Sequence, residues 1–247
     1  MGKGIVFITG AGTGIGKAMA AEFARRGYDL GLLARRVDVL EQVAADLRKA
    51  CGVRVEVAAL DVAQDETVHP VIDALREKMG GLDIMVANAG ITAINRTGSG
   101  SIDKDKRVMA VNFIGAIATL DAAAKHFRAQ KKGHLVGVSS IAGYNPIPGS
   151  GTYSASKAAL SMWLRAARLE LQKHGIKVTA IHPGFIKSEL VPDMDKYPFI
   201  IEADVGARAM VDAIEAGKDT VIVPAWPWKV IIAASQLLPE KWLPKLF

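Results

Sequence analysis

Thr9-Gly10-Ala11-Gly12-Thr13-Gly14-Ile15-Gly16 follows the apolar run Ile5-Val6-Phe7-Ile8 near the start of the chain. The β-branched run predicts a buried parallel strand over 5–9, and the pattern of residues 17–26 is helical. Glycines placed between a strand and a helix allow a tight turn, let backbone N–H groups approach a pyrophosphate and aim the helix N-terminus at it. The stretch therefore predicts a dinucleotide site; the alternative is a merely flexible turn.

The same order of strand and helix continues along nearly the whole chain. Further strands are predicted over 28–34, 53–60, 82–87, 133–139, 176–181 and 220–223. Because helical segments alternate with these strands and no linker interrupts them, we expect one domain over 1–247 with 224–247 as a tail. The fold class predicted is α/β, a Rossmann-type doubly wound parallel sheet of about seven strands with helices on both faces.

Composition limits the classes of partner. Half of the 247 residues are hydrophobic and the net charge is +6, but Lys and Arg are scattered among Asp and Glu. This distribution favours an anionic small ligand over nucleic acid. Cys51 is the only cysteine, so no internal disulfide is possible. No metal site is predicted, no apolar run reaches transmembrane length, and we expect a cytoplasmic protein.

Arg35-Arg36 ends the second predicted strand, where such a fold selects its dinucleotide. An acidic residue there would bind the ribose hydroxyls of NAD, whereas two guanidinium groups suit a 2′-phosphate. NADP(H) is therefore expected in preference to NAD(H). The alternative is that both arginines simply form a solvated helix start.

Polar and small residues follow the next strands at the same edge of the sheet. Asp61-Val62 ends the third strand, where Asp61 could bind an adenine amino group or instead cap a helix. Asn88-Ala89-Gly90 follows the fourth strand, where small residues let a ligand come close. Asn112 lies among apolar residues in a predicted helix and needs a partner, which could be purely structural.

Tyr153 and Lys157 are four residues apart on a predicted helix and so share one face. A neighbouring ammonium favours the phenolate and lowers the pKa of the tyrosine, which makes Tyr153 a candidate acid or base. Ser140, at the end of the fifth strand, is placed to hold a reacting oxygen. The alternative is a solvated Tyr and Lys on a helix surface.

Taken in order, these motifs resemble the short-chain dehydrogenase/reductase family over about residues 4–224. The glycine signature is matched at Thr9, Gly10, Gly14, Ile15 and Gly16, and the family's Asn-Ala-Gly turn at residues 88–90. Ala87 stands where many members have another Asn, and Ser188 where many place a Thr against the nicotinamide amide. Ser140 is preferred to Ser139 because it precedes Tyr153 by the usual interval.

The resemblance implies both the site residues and the chemistry. The implied catalytic residues are Asn112, Ser140, Tyr153 and Lys157. The expected cofactor-binding residues are Thr9, Gly10, Gly12, Thr13, Gly14, Ile15, Gly16, Arg35, Arg36, Asp61, Val62, Asn88, Ala89, Gly90, Tyr153, Lys157, Pro183, Gly184, Ile186 and Ser188.

In the mechanism that the family implies, Ser140 and Tyr153 bind the carbonyl oxygen of a ketone or aldehyde. Hydride passes from NADPH to the carbonyl carbon and Tyr153 donates the proton. Lys157 binds the nicotinamide ribose and lowers the pKa of Tyr153, while Asn112 holds a water beside Lys157. The resemblance also favours a homodimer or homotetramer formed through the helices around Asn112 and Tyr153.

The sequence says less about the substrate and about the role of the C-terminal tail. An apolar pocket, and hence a hydrophobic substrate, is suggested by Ile141, Pro146, Ile147, Phe185, Leu190, Tyr197, Phe199 and Trp226, although core packing explains them equally well. The tail holds Trp226, Trp228 and Trp242, and docking on the domain or a sister subunit is favoured over a membrane-surface anchor. The competing functions are a cofactor-sensing protein without turnover and an epimerase or dehydratase.

Overall fold

Seven parallel strands form one sheet in a computed structural model that describes residues 2–188, 197–237 and 239. The strands are β1 Ile5–Thr9, β2 Asp29–Ala34, β3 Val55–Ala59, β4 Ile84–Ala87, β5 Gly133–Val138, β6 Ile176–Pro183 and β7 Thr220–Val223. Their order is β3-β2-β1-β4-β5-β6-β7, and every neighbouring pair is parallel. The predicted fold class is confirmed.

Helices cover both faces of the sheet. They are α1 Gly14–Arg25, α2 Val37–Cys51, α3 Asp65–Met79, α4 Ile102–Met109, α5 Gly115–Gln130, α6 Gly151–Leu171, α7 Ala203–Glu215 and α8 Trp228–Ser235. Apolar side chains of α1, α2 and α7 bury one face, and those of α3, α5 and α6 bury the other. A sheet buried on both faces explains why its strands are continuous apolar runs rather than alternating ones.

The strand order reverses between β1 and β4, which are neighbours in the sheet although far apart in sequence. Parallel strands place all their carboxyl ends at one edge, and ligands of this architecture bind in the crevice at such a reversal. The glycine turn after β1 and the Asn-Ala-Gly turn after β4 therefore meet at the same place.

The helix predicted around Asn112 contains a π-helical turn, Ala110–Ile114, between α4 and α5. At Gly115, just beyond this turn, an added Cβ would lie 2.4 Å from the backbone oxygen of Val62, so the helix runs against the end of β3. The continuous segment Ile102–Gln130 is long and apolar enough to span a membrane, contrary to the expectation from the sequence. More than half of its most apolar 18-residue stretch is buried inside the protein, which is typical of a core helix.

The described part of the tail lies on the rest of the chain. Trp228, at the start of α8, is fully buried and packs with Ile141 and Phe185. The Ser235 hydroxyl lies 2.9 Å from Oδ1 of Asn145, in the loop before α6. Trp242 lies outside the described residues.

Candidate active site

The glycine turn leaves the start of α1 open to a ligand. Gly10 and Gly14 have φ angles of +68° and +53°, a region that favours glycine. Thr13 caps α1 without a side-chain hydrogen bond, and the first turn holds no acidic residue. A helix N-terminus of this kind attracts an anion through its N–H groups and its dipole. These residues therefore fit the pyrophosphate of a dinucleotide.

Side chains hold the turns after β1 and β4 together. The Thr9 hydroxyl oxygen accepts hydrogen bonds from the N–H groups of Asn88 (3.1 Å) and Ala89 (3.2 Å). Asn88 Nδ2 in turn donates to the backbone oxygen of Thr9 at 3.0 Å. At Gly16 an added Cβ would lie 2.3 Å from the backbone oxygen of Gly10. Thr9, Asn88 and Gly16 thus shape the site by contacts within the protein.

Arg35 and Arg36 are both exposed at the end of β2, and neither forms an ion pair with the residues that the structure describes. Arg35 and Asp61 line a cavity of about 410 Å³. The other lining residues are Ala59, Leu60, Gln64, Thr67 and Val71. The exposed guanidinium of Arg35 in this cavity can accept an anion, and the exposed Arg36 follows it in sequence.

Asp61 already has partners for both of its oxygens. Oδ1 accepts a hydrogen bond from the Ala63 N–H at 3.1 Å, and Oδ2 lies 2.9 Å from Nη2 of Arg107. Burial alone raises the pKa of the carboxyl, but the hydrogen bonds from Arg107 and Ala63 outweigh it and the pKa falls below its ordinary value. An ion pair with α4 is thus the main contact of Asp61, and neither alternative drawn from the sequence included it. Val62 beside it is buried.

Ser140 and Tyr153 are brought together at the carboxyl end of β5. A hydrogen bond with Ser140 lowers the pKa of Tyr153, while the Ser140 oxygen also accepts the Ala142 N–H at 3.1 Å. Ser139 points elsewhere, since its hydroxyl donates to the backbone oxygen of Lys157 at 2.8 Å. Ser139 therefore fixes α6 to the end of β5, whereas Ser140 contacts Tyr153.

Lys157 is only 4 % exposed, and its ammonium donates to the Val138 backbone oxygen at 2.8 Å. Its Nζ lies 5.9 Å from the centre of the Tyr153 ring. Burial lowers the pKa of Lys157 to about 8. Burial also raises the pKa of Tyr153, and the Ser140 hydrogen bond offsets only part of that rise. The expected lowering of the Tyr153 pKa by Lys157 is therefore not met in this structure, because desolvation of the phenolate prevails.

Asn112 lies in the π-helical turn and is completely buried. Its Nδ2 donates to the backbone oxygen of Ile91 (2.9 Å) and to the Ser156 hydroxyl (3.2 Å), while Oδ1 accepts the Ile91 N–H (2.8 Å). A Cβ added at Gly90 would lie 3.5 Å from both Asn112 Oδ1 and Lys157 Nζ. Asn112 thus holds the loop after β4 beside Lys157; its binding of a water stays a prediction.

The turn after β6 closes the site on the side of β7. Pro183 ends β6, and the Gly184 N–H donates to the Val223 backbone oxygen at 2.8 Å. Ile186 is buried and forms an isolated bridge with Ile201. A Cβ added at Gly14 would lie 3.2 Å from the Cβ of Ser188, so this loop reaches the glycine turn.

The apolar pocket expected from the sequence is only partly present. Phe185 contacts Tyr197 and Trp228, with ring centres 4.5 and 5.4 Å apart, and Phe199 contacts Trp228 at 6.0 Å. These side chains and Ile141 form a cluster around Trp228, which is the core-packing alternative. Trp226 is 74 % exposed, and Leu190 lies outside the described residues.

A second cavity, of about 840 Å³, lies beside the start of α6. Pro146 and Ile147 line it, together with loop residues from 95–101 and 148–152. Asn95 joins the two loops, since its N–H donates to the Gly149 oxygen at 2.8 Å. This cavity lies at the start of α6, and its wall combines polar loop residues with apolar surface.

Arg107, His182 and Trp228 contact the site but were not expected there. His182 is buried, with Nδ1 3.3 Å from the Ser140 backbone oxygen and its ring 4.7 Å from that of Tyr144. Burial lowers the pKa of His182 to about 4, so the ring is neutral at pH 7. His182 could have been expected there from its position directly before Pro183-Gly184. No sequence feature indicated Arg107 or Trp228. Among the described residues, no group of His, Cys, Asp or Glu could hold a metal ion.

Comparison with known proteins gives consistent matches. Residues 4–197 match the short chain dehydrogenase family. An "uncharacterized oxidoreductase" of Mycobacterium tuberculosis is 35 % identical over 238 residues, covering 96 % of this chain and 94 % of the relative. A short-chain dehydrogenase from Sphingobium yanoikuyae in complex with NADPH has a TM-score of 0.84 and 30 % identity, covering 94 % and 93 % of the two chains. An alcohol dehydrogenase from Thermococcus sibiricus, complexed with 5-hydroxy-NADP, has a TM-score of 0.80 and 27 % identity, covering 88 % and 94 %.

Proposed function

Because the chain belongs to the short-chain dehydrogenase family, we propose that it reduces a ketone or aldehyde with NADPH, with secondary alcohol oxidation as the reverse reaction. Family membership makes it an NAD(P)-dependent dehydrogenase or reductase. The observation that carries the proposal is the contact of Ser140 with Tyr153, one helical turn from the buried Lys157 and at the same sheet edge as the glycine turn.

The cofactor, when bound, supplies the hydride. We assign its pyrophosphate to the N–H groups at the start of α1, between Gly12 and Gly16. Arg35 and Arg36 are assigned to the 2′-phosphate, because both are exposed and neither pairs with a described acidic residue. Each charge-assisted hydrogen bond is worth about 1.5–3 kcal/mol, enough to favour NADPH over NADH. The NADPH and 5-hydroxy-NADP named with the two structural neighbours support this preference.

Side chains of the protein donate the proton and stabilise the charge that it leaves behind. Since burial raises the pKa of Tyr153, its hydroxyl is protonated at neutral pH and suits donation to a carbonyl oxygen. Ser140 is placed to donate a second hydrogen bond to that oxygen. After the proton has left, the nearby Lys157 ammonium stabilises the phenolate, because opposite charges attract strongly where water is excluded. These roles favour reduction as the main direction.

The test is turnover of NADPH with a panel of ketones and aldehydes by wild type and Tyr153→Phe. General acid–base catalysis contributes about 10²–10⁴-fold, so we expect at least about a hundredfold loss of kcat in the variant, with the Kd of NADPH nearly unchanged. Tyr28→Phe is the matched control, because its hydroxyl bonds Glu215 at the opposite end of the sheet. Turnover preserved in Tyr153→Phe would contradict the proposal, and NADPH binding without turnover of any substrate would favour the cofactor-sensing alternative.

We further propose that the protein associates with itself through α6. Exposed apolar residues recur every three or four positions along this helix, and they are Ala155, Ala158, Met162, Ala166 and Leu169. Residues at this spacing share one face. Leu169 and Met162 are 74 % and 64 % exposed, and a face of this kind is typical of a protein interface.

A further inference from the structure

Arg107 is the charged residue of the site that the proposed chemistry leaves without a role. It lies on α4, and its Nη2 is 2.9 Å from Oδ2 of Asp61. The pair joins α4 to the segment after β3, across 46 residues of sequence. The second carboxylate oxygen is held by the Ala63 N–H, so the position of the Asp61 charge is fixed from two sides.

Asp61 shares its cavity with a residue of opposite charge. Arg35 and Asp61 both line the space of about 410 Å³, and Arg35 as well as Arg107 contributes to the lowered pKa of Asp61. The carboxylate is therefore ionised and lies within electrostatic reach of Arg35. A negative charge in this place opposes the binding of a phosphate to Arg35, since like charges repel more strongly where water is partly excluded.

We propose that Arg107 is a positioning residue for NADP selectivity, because it holds and neutralises Asp61 and so keeps this carboxylate from repelling a 2′-phosphate bound by Arg35 and Arg36. Without Arg107 the negative charge of Asp61 is no longer offset by this neighbouring cation and repels a phosphate at Arg35 more strongly, whereas NADH carries no 2′-phosphate and is little affected. The inference rests on the NADP preference of the proposed function and adds a third arginine to it, one that acts through Asp61.

The test measures the Kd of NADPH and of NADH for the cofactor-free protein by fluorescence titration, together with the ratio of the two. We expect Arg107→Ala to reduce the preference for NADPH about tenfold, a change of about 1.4 kcal/mol. Arg107→Lys keeps the charge and should keep most of the preference. The double variant Arg107→Ala/Asp61→Asn should regain the ratio of Asp61→Asn alone, because the repelling charge is then absent.

Lys106→Ala is the matched control. Lys106 is the neighbouring residue on α4 and pairs with Asp103, 3.4 Å away, so its removal deletes one positive charge without touching Asp61. A general loosening of α4 would weaken the binding of both dinucleotides and leave the ratio of their Kd values unchanged. This result distinguishes it from the proposed effect, which changes the ratio. Should Arg107→Ala not fold, Arg107→Gln carries the same expectation, since it removes the charge but retains a donor.

The outcomes distinguish this inference from the proposed function. Equal binding of NADPH and NADH by the wild type overturns both the NADP preference and the role of Arg107. A wild-type preference for NADPH that persists in Arg107→Ala overturns the role of Arg107 alone, as does a double variant that fails to regain the ratio. A reduced ratio in Arg107→Ala that Asp61→Asn restores supports it.

Discussion

Lys157 carries its charge where water can scarcely solvate it. The side chain is 4 % exposed, and burial lowers the pKa from 10.5 to about 8. Between these two pH values the unfolded chain binds more protons than the folded one, so stability rises with pH across that window. Below it, the buried ammonium imposes a constant cost. Lys157, which the proposed chemistry needs, therefore lowers the stability of the folded protein at neutral pH.

We expect Lys157→Met to be inactive but more stable than wild type at pH 7. A pKa shift of this size corresponds to at most about 3 kcal/mol, with the lost hydrogen bond to Val138 subtracting from it. The advantage should shrink as pH rises above 8 and nearly vanish near pH 10. Urea denaturation at several pH values measures it, with the exposed Lys104→Met as a control that should change little. A variant less stable at pH 7 would show that the hydrogen bond outweighs the cost of burial.

At this scale the sequence predicted which residue types come together better than it predicted their properties. Ser140, Tyr153 and Lys157 were expected at one place, and the structure brings them there. The direction of the Tyr153 pKa was wrong because desolvation depends on how much of the ring is covered, which spacing does not reveal. The contact of Asp61 with Arg107 joins distant segments of the chain, and no local sequence pattern predicts it.

At the level of secondary structure, helix α8 packs against two loops of the site. Trp228 packs with Ile141, next to Ser140, and with Phe185, next to Gly184. A Cβ added at Gly184 would lie 2.4 Å from the indole Nε1. Gly184 is therefore fixed as glycine by the helix that covers it, whatever its contact with a cofactor.

We expect Gly184→Ala to destabilise the protein by about 1–3 kcal/mol, because the added methyl group overpacks the contact with Trp228. Gly151→Ala is the matched change, since nothing lies within 4 Å of a Cβ there and the residue begins α6. The control should be neutral or stabilising by up to about 1 kcal/mol. Thermal or urea unfolding of both variants gives the comparison. A Gly184→Ala protein as stable as wild type would mean that α8 moves aside freely.

The elements were predictable wherever one short pattern defines them. β1 was predicted over the residues that form it, because an apolar β-branched run ends there in glycines. The π-helical turn at Asn112 was not predictable, since it depends on how the helix fits against Val62 and on the bonds from Asn112 to Ile91. Tertiary contacts of this kind override the local preference for an α-helix.

For the molecule as a whole, the uncovered surface of α6 distinguishes it from an ordinary helix of an α/β sheet. Its inner face is buried against the sheet, while Met162 and Leu169 remain open to solvent. Because Tyr153 and Lys157, the proposed catalytic residues, lie on the same helix, contact with a second copy through this face would also fix the position of the proposed site.

We expect the wild type to elute as a dimer or tetramer, and Leu169→Glu to weaken association at least about tenfold, since a charge placed in an apolar interface loses its hydration. Size-exclusion chromatography with light scattering measures the mass. Val205→Glu is the control, because Val205 is 51 % exposed on α7, away from the α6 face. A monomeric wild type would refute the proposed association.

The pairing of β1 with β4 also sets when the site can arise during folding. Val6 lies beside Ile84, so the central pair of the sheet closes a long loop of chain, and parallel pairings of such separation form slowly. The glycine turn and the Asn-Ala-Gly turn face each other only after this closure. Recovery of dinucleotide binding during refolding should therefore lag behind recovery of helix content, and a bound dinucleotide would report that the slowest long-range contacts have formed.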